Sequence, residues 1–424
     1  MKIVMFTDAY WPRVNGVTVS VDSFSRALAK AGHRVLIVCA HYPGEAPPAS
    51  SGRGEAEGPE VIRVPSRAFF ISREDRMAKF SKWFWVTRQV EKFEPDIIHL
   101  NSEFIIAEFG FYYGTLHRVP TIYTFHTLWE DYAANYIPWA PPSLLRRLAG
   151  GILKSMIKRA YKVIAPTLQI QEEIKKYNIE KEVFLLPTGL DPDFFEHDRA
   201  EVSWFRERLE GQFPVLRGRR ILLFAGRVAK EKNIEFLLEI LPSILAKHPE
   251  CLLLIVGDGP HLETLRKEAE EGGISGHVVF SGYLDRKDLA LAYGMAEIFV
   301  FPSLTETQGL VTLEAMLSGT PVVAIGEQGT LMVMGGDNGG FMVKNDKAEF
   351  TARVFELLEN PELRRLKAEE AQRHAQAWSI EGTTRKLEKI YEQTIASFRG
   401  EFGEPVIPVW EFLAKKLKTG DDEP

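Results

Sequence analysis

The sequence predicts an α/β protein built from two doubly wound, Rossmann-like domains. Three observations carry this reading. Short apolar, β-branched runs alternate with helical stretches along most of the chain. Most of those runs lack polar alternation, the pattern of a parallel sheet covered on both faces. The series breaks at LPTGLDPDFF (186–195), where Pro, Gly and Asp punctuate it. At 424 residues the chain has room for two large domains.

The first series of expected strands is KIVMFT (2–7), RVLIVCA (34–40), EVIRV (60–64), DIIHL (96–100), TIYTF (121–125), KVIAP (162–166) and VFLLP (183–187). An amphipathic stretch, 18–31, follows the first strand. The segment 41–59, rich in Pro, Gly, Ala and Glu, reads as a mobile loop without chemistry. The second series is RILLFAG (220–226), CLLLIVG (251–257), HVVFSG (277–282), IFVFP (298–302) and PVVAIG (321–326), with helices near 233–247, 259–272, 286–294 and 308–318. Helical patterns at 346–358, 361–377 and 379–398 close the chain ahead of a tail, 399–424. Strand–helix–strand order implies right-handed crossovers. The expected domains are 1–187, 188–378, and a segment 379–424 whose helix returns to the first domain. Two such sheets on a short linker would face each other across an interdomain cleft, and doubly wound sheets bind ligands beyond the carboxyl ends of their strands.

Composition narrows the class. Hydrophobic residues are 45 % and charged residues 26 %, which excludes disordered and collagenous chains. The sequence contains no 18-residue apolar run, so no membrane-spanning helix is expected. MKIVMFT leads straight into a strand pattern rather than a signal-peptide core. Cys39 and Cys251 lie in separate apolar runs and read as buried free thiols, with a reducing cytoplasm as the expected compartment. The net charge of −6 divides into +5 over residues 1–190 and −11 over 191–424. The chain is acidic overall and has no recognisable nucleic-acid module, so a nucleic-acid partner is not expected. Its basic half leaves another anionic partner open.

Six segments hold candidate chemistry. In PSLTETQGLVTLEAMLSGTPVVA (302–324), Glu306 stands just before Gly309, at the start of an expected helix, and Glu314 lies inside it. Free N–H groups at a helix start bind phosphate, aided by the dipole. A carboxylate beside them suits sugar hydroxyls, and one farther along the helix suits a ribose diol. A capping carboxylate and a surface Glu explain the pair equally well. In LLFAGRVAKEKNIEFLLE (222–239), Arg227 and Lys232 share a strand-to-helix loop. A guanidinium fork and a point ammonium suit a diphosphate there, although solvated loop charges explain each taken alone. VGDGPHLETL (256–265) adds a glycine turn at Gly257, where backbone can approach a ligand. In SGYLDRKDL (281–289), backbone groups of Tyr283 and Leu284 suit a base edge. In FTDAYWPRVNGVTVSV (6–21), Gly16 precedes a helix and suits a phosphate or sugar, or is a plain turn. In TIYTFHTLWEDY (121–132), His126 follows a strand at the cleft end; a histidine there is more often structural, and His99 fits a structural role better still.

Together, GRVAKEKN, VGDGP and ETQGLVTLEAMLSGTPVVA, in this order and spacing, resemble the retaining nucleotide-sugar glycosyltransferases of family 4, which have the GT-B fold. The resemblance spans about residues 1–398, and Glu306 with Glu314 matches the family's Glu-x7-Glu element. It implies that Arg227 and Lys232 hold the donor diphosphate and stabilise the leaving group. Glu306 would bind donor-sugar hydroxyls, with the amides of Gly309, Leu310 and Val311 nearby, and Glu314 the ribose. His126 would contact the donor sugar near its reacting face, and Gly16 would line the diphosphate end. The Asn15-Gly16 pair departs from the double glycine of many members. No metal or other cofactor is implied, because two cations can replace Mg²⁺ electrostatically at the leaving group. The expected donor is UDP-glucose, ahead of UDP-galactose and GDP-mannose.

PRVNGVTVSV and TFHTLWEDYAANYI further resemble bacterial and plastid enzymes that glycosylate diacylglycerol. The residues add their own argument. Between Asp131 and Glu172 every charged residue is basic: Arg146, Arg147, Lys154, Lys158, Arg159 and Lys162. On a helix, Arg147, Lys154 and Lys158 share a flank beside an apolar stripe of Leu144, Leu148, Ile152 and Met156. Such a helix suits an anionic membrane surface, and Trp85, near Lys82, Gln89 and Lys92, suits its interface. Gly150-Gly151 should weaken the helix, and packing on the protein's own sheet is the plainer use of such a stripe. The expected activity is therefore hexose transfer to a lipid such as diacylglycerol, by a cytoplasmic protein peripheral on the inner face of the cell membrane. The alternatives are a soluble acceptor (sugar, sugar phosphate or inositol phosphate), a GT-B sugar-nucleotide epimerase, and a non-catalytic nucleotide-sugar sensor.

Overall fold

The computed structural model describes residues 1–13, 15–42, 58–68, 76–126, 142–306 and 308–403. Most of the loop 41–59, the stretch 127–137 and the tail from 404 onward lie outside the described residues. The chain divides into two units. Unit 1 takes Met1–Gly189 and the chain from Ile380, and unit 2 takes Leu190–Ser379.

Unit 1 begins with β1 (Lys2–Thr7), α1 (Gly16–Lys30), β2 (Arg34–Ala40) and β3 (Glu60–Val64). A small antiparallel pair follows, β4 (Ser66–Ala68) with β5 (Arg76–Ala78), then α2 (Trp83–Phe93). The rest is β6 (Ile97–Leu100), α3 (Ile105–His117), β7 (Thr121–Thr124), α4 (Pro142–Arg159), β8 (Lys162–Ala165), α5 (Leu168–Lys175) and β9 (Val183–Leu185). The main strands pair in parallel in the order β3-β2-β1-β6-β7-β8-β9. The five inner strands, β2, β1, β6, β7 and β8, are buried along nearly their whole length, which is why their sequences do not alternate, whereas the edge strands β3 and β9 are only partly buried.

Unit 2 repeats the plan. It has α6 (Arg199–Gln212), β10 (Arg220–Ala225), α7 (Glu235–Lys247), β11 (Cys251–Val256), α8 (Leu262–Glu271) and β12 (Val278–Gly282). Then come α9 (Arg286–Met295), β13 (Ile298–Phe301), α10 (Leu310–Leu317), β14 (Val322–Ile325), α11 (Gln328–Met334), β15 (Gly340–Val343), α12 (Lys347–Glu359) and α13 (Pro361–Ala375). The parallel order is β12-β11-β10-β13-β14-β15. The strand β15 was not expected, because Gly339-Gly340 ahead of a three-residue apolar run reads as a turn. Helices α3, α5, α6 and α11 were also unforeseen.

The last helix, α14 (Ile380–Phe402), belongs to unit 1. Its Ile380, Leu387, Ile390 and Tyr391 complete the apolar layer that α1 forms on one sheet face. On the other face, α2, α3, α4 and α5 bury Val86, Val90, Phe109, Leu153, Met156, Ile157, Ile170 and Ile174. Helix α4 runs unbroken through Gly150-Gly151, since the burial of Leu153, Met156 and Ile157 outweighs a low glycine propensity. That buried row also corrects the expected stripe. Met156 faces the core, whereas Leu148 and Ile152 are 57 % and 50 % exposed; the side chains of Leu144 and Arg146 lie outside the described residues. Among the described residues no helix is long and apolar enough to cross a membrane. Cys39 and Cys251 are buried free thiols.

Candidate active site

Parallel pairing puts the carboxyl ends of the strands along one edge of each sheet, and the order reverses once in each sheet. In unit 1 the reversal lies between β1 and β6, and in unit 2 between β10 and β13. Loops leaving the sheet there diverge and open a ligand crevice.

In unit 2, β10 leads into Gly226, Arg227 and a short turn ending at Lys232, and β13 leads to Glu306. The two loops are laced together. The Thr305 hydroxyl donates to the Glu231 carbonyl at 3.3 Å, and the Asn233 amide donates to that of Pro302 at 3.2 Å. The Lys232 ammonium donates to Glu306 Oε2 at 2.7 Å, with the side chains 14 % and 17 % exposed. Glu306 takes one of the ammonium's three donors. Its own carbonyl accepts from the Gly329 amide at 2.6 Å, which fixes the backbone that aims the carboxylate. Arg227 is half-buried on the β10 loop.

Gly257 follows β11 with φ 133°, and a Cβ there would meet the Gly226 carbonyl oxygen at 1.9 Å. Only glycine allows these two strand ends to close beside Arg227. Tyr283 and Leu284 follow β12, the first exposed and the second half-buried. Gly309 opens α10 in the left-handed conformation, φ 71°, and no side chain caps the helix. The amides of Gly309, Leu310 and Val311 therefore stand at the positive end of the helix dipole. Within α10, Glu314 is buried and accepts from the Tyr293 hydroxyl at 3.0 Å. Burial pushes its carboxyl up to about 6, while the nearby Arg286 charge pulls it down. Unit 2 thus brings Lys232 to Glu306, Gly257 to the Arg227 loop, and Glu314 to Tyr293.

Gly16 and His126 belong to unit 1. Gly16 is the first residue of α1, and Asn15 is its N-cap, accepting from the Thr18 amide at 2.9 Å. A capping side chain serves where many members of the resembled family have glycine. His126 is buried just beyond β7. Its Nε2 meets Asn101 Oδ1 at 3.1 Å, and its Nδ1 has no partner among the described residues. Burial lowers its pKa to about 4, so the imidazole is neutral. His99, in β6, bonds Thr124 through Nε2 at 2.6 Å and the Tyr391 hydroxyl through Nδ1 at 2.7 Å, and burial lowers its pKa to about 3. The sequence reading missed Asp8, Asn101, Ser102, Arg286 and Tyr293. For Asp8 the available signal was an acid directly after the first strand.

On the outer surface of the α2–α3–α4 layer, Phe80, Phe84 and Trp85 are 68 %, 77 % and 42 % exposed, and Arg147, Lys154 and Lys158 are exposed with Leu148 and Ile152. Not every expected basic residue is available there, since Arg159 pairs with Glu108 and Lys162 with Glu182. Among the described residues no group of three His, Cys, Asp or Glu is placed to hold a metal ion.

Comparison with known proteins bears on both units. Residues 14–194 match the model of Glycosyltransferase Family 4, and residues 205–374 that of Glycosyl transferases group 1. An alpha-monoglucosyldiacylglycerol synthase of Streptococcus pneumoniae is 32 % identical over 331 residues, 77 % of this chain and 71 % of that one. Its namesake from Acholeplasma laidlawii is 26 % identical over 399 residues, 92 % and 96 % of the two chains. Among solved structures, Anabaena HepE in complex with UDP and glucose superposes with a TM-score of 0.73 at 18 % identity, covering 92 % of this chain and 99 % of that one. A sucrose-phosphate synthase from Thermosynechococcus elongatus gives 0.71 at 21 % identity, covering 93 % and 99 %. These two likenesses concern the fold.

Proposed function

Because the chain belongs to glycosyltransferase family 4 and is a hexosyltransferase, we propose that it moves a hexose, with retention, from a nucleotide diphosphate sugar to a lipid acceptor at an anionic membrane surface. UDP-glucose is the proposed donor and diacylglycerol the proposed acceptor, at the inner face of the cell membrane. The acceptor follows the names of the two synthases.

The observation that carries the donor reading is the Lys232–Glu306 pair at the strand-order reversal of unit 2. Cleaving the sugar–phosphate bond leaves negative charge on the diphosphate and builds positive charge on the sugar. In this reading Arg227, Lys232 and the amides at the start of α10 stabilise the first. Glu306 accepts from donor-sugar hydroxyls, and Glu314 from the ribose. The bond from the anomeric carbon to the phosphate oxygen breaks, a bond to the acceptor hydroxyl forms on the same face, and the hydroxyl proton ends on the departing diphosphate. The two cations supply the charge that a divalent ion would otherwise bring. The exposed aromatic and basic residues of α2 and α4 support the membrane reading, since aromatics suit the headgroup interface and cations anionic lipid.

The test is mass spectrometry of product after incubation with UDP-, GDP- and ADP-sugars, with and without diacylglycerol in anionic vesicles. Nucleotide diphosphate released together with a glycolipid is the expected result. Turnover indifferent to vesicles moves the acceptor to soluble molecules, and conversion of the donor alone to an isomer identifies an epimerase. Reversing Arg147, Lys154 and Lys158 to Glu should abolish vesicle binding and leave donor binding unchanged.

A further inference from the structure

Two neighbours of Glu314 have no part in the reading above. Arg286 and Tyr293 are seven residues apart on α9, with the fully buried Ala290 between them. The spacing i, i+4, i+7 puts all three on one helix face. That face packs toward α10, which carries Glu314.

Tyr293 is completely buried, and its hydroxyl donates to Glu314 Oε2 at 3.0 Å. Burial and the adjacent carboxylate push the phenol well above its ordinary value, so it stays a proton donor at working pH. One carboxylate oxygen is therefore held. The other has no hydrogen bond among the described residues.

Arg286 lays its guanidinium over the Phe194 ring, 4.5 Å from the centroid. Its Nε–H is buried and unpaired among the described residues. A buried unpaired donor is costly and asks for an explanation. Arg286 attracts Glu314 strongly enough to oppose the effect of burial on the carboxyl, yet no direct ion pair joins them. A group bridging them must accept from the guanidinium and donate to the carboxylate. A phosphate oxygen does the first only, and an ammonium the second only. A hydroxyl does both, and two adjacent hydroxyls engage both residues at once.

We propose that Arg286 and Glu314 together read the vicinal diol of the donor's ribose, and that Tyr293 is a positioning residue that holds the carboxylate for it. This rests on the reading that unit 2 binds a nucleotide diphosphate sugar.

Calorimetry on the full chain tests it, with UDP and GDP and the 2′-deoxy and 3′-deoxy form of each. Wild type should bind one ribonucleotide at least about tenfold tighter than a deoxy form, the scale of losing a hydrogen bond to a charged group. Arg286→Met should weaken the ribonucleotide by about tenfold and barely touch the deoxy form, bringing their ratio near one. Tyr293→Phe should reduce the ratio by about threefold. In a Glu314→Gln background, Arg286→Met should change the ratio no further. If Arg286→Met weakens ribose and deoxyribose forms equally, Arg286 is only structural and the proposal is overturned. That result stands even if Tyr293→Phe does not fold. A wild type that binds a nucleotide without preference for ribose overturns this proposal alone, whereas a wild type that binds no nucleotide overturns the donor-site reading beneath it.

Discussion

The two units reverse strand order at the same topological place and fasten the reversal by different means. In unit 1 the fastening is Asp8 with Ser102. The Ser102 hydroxyl donates to Asp8 Oδ2 at 2.6 Å, and the Asp8 amide donates back at 2.9 Å. Both are buried, and burial pushes the Asp8 carboxyl up to about 6. In the same unit the neutral imidazole of His99 is hydrogen-bonded through both nitrogens, and that of His126 through Nε2. In unit 2 the fastening is the Lys232–Glu306 ion pair, which keeps contact with water. Full desolvation of a charge is expensive, and the proposed diphosphate site keeps its Lys232–Glu306 pair partly exposed. Neutral hydrogen-bonding groups such as the His99 and His126 imidazoles carry a smaller penalty and can be sealed inside, and burial drives the Asp8 carboxyl toward its neutral form. The comparison assigns unit 2 to electrostatics and the polar end of unit 1 to shape and rigidity.

The sharpest way to break that assignment is steric. Gly257→Ala drives a Cβ into the Gly226 carbonyl at a φ that side chains avoid. Denaturant unfolding should show a loss of about 3 kcal/mol or more, with nucleotide binding abolished. An alanine variant of wild-type stability would mean that the two strand ends do not close around a glycine.

Next in size is a paired experiment on the fastenings. Lys232→Ala should lower turnover at least about tenfold, a loss of about 1.4 kcal/mol of transition-state stabilisation. Ser102→Ala should instead destabilise unit 1 by about 1–2 kcal/mol, since it strips a partner from a buried carboxyl. Wild-type turnover in the first variant would remove Lys232 from the donor site. An effect of the second on turnover without one on stability would erase the contrast between the units.

The same contrast explains what was legible in the sequence. Arg227 and Lys232, and likewise Glu306 and Glu314, sit in contiguous motifs, because a loop and a helix start would present the proposed phosphate site from a few consecutive residues. The strands were legible because burial on both faces removes polar residues from them. The buried hydrogen bonds of unit 1 link position 8 with 102, 101 with 126, and 99 with 124 and 391, pairs that only the fold brings together, so no local pattern announced them. Tyr293 was hidden for a related reason: a lone tyrosine in an apolar helix looks like core until its hydroxyl is seen against Glu314. The apolar stripe of α4 was misassigned because a helix with exposed Leu148 and Ile152 has two candidate rows, and only packing identifies Leu153, Met156 and Ile157 as the buried one.

Acid gives a smaller and more selective effect. His99 and His126 have folded pKa values near 3 and 4 against an ordinary 6.5. Below pH 6.5 the unfolded chain takes up protons that the folded one refuses, so stability is full above 6.5 and falls as pH drops toward 4. Asp8 and Glu314, raised to about 6, act in the opposite sense between their ordinary values and 6, because there the folded state holds the extra proton. The histidine loss is therefore cleanest just below pH 6.5. His126→Gln should remove about 1 kcal/mol of the wild-type stability change between pH 7 and 5.5, measured by denaturant unfolding. An unchanged profile would mean that the imidazole protonates in the folded protein. Glu314 should be visible separately: affinity for an intact nucleotide sugar, whose diphosphate does not titrate in this range, should fall as pH drops through about 6 in wild type and stay flat in Glu314→Gln.

The smallest effect tests the outer surface of unit 1 with the same substitution that should be ruinous in unit 2. Gly151 is exposed in the middle of α4, and a Cβ there meets nothing within 4 Å. Gly151→Ala should therefore stabilise the protein by about 0.5–1 kcal/mol, through the entropy that glycine loses on entering a helix. If α4 meets lipid only through its exposed charges and Leu148 and Ile152, vesicle binding should not change, since alanine alters none of them. A stabilised variant that binds anionic vesicles less well would show that the helix must bend or loosen at its glycine pair to engage the membrane. The Gly150-Gly151 pair of unit 1 would then serve motion, and Gly257 of unit 2 close approach.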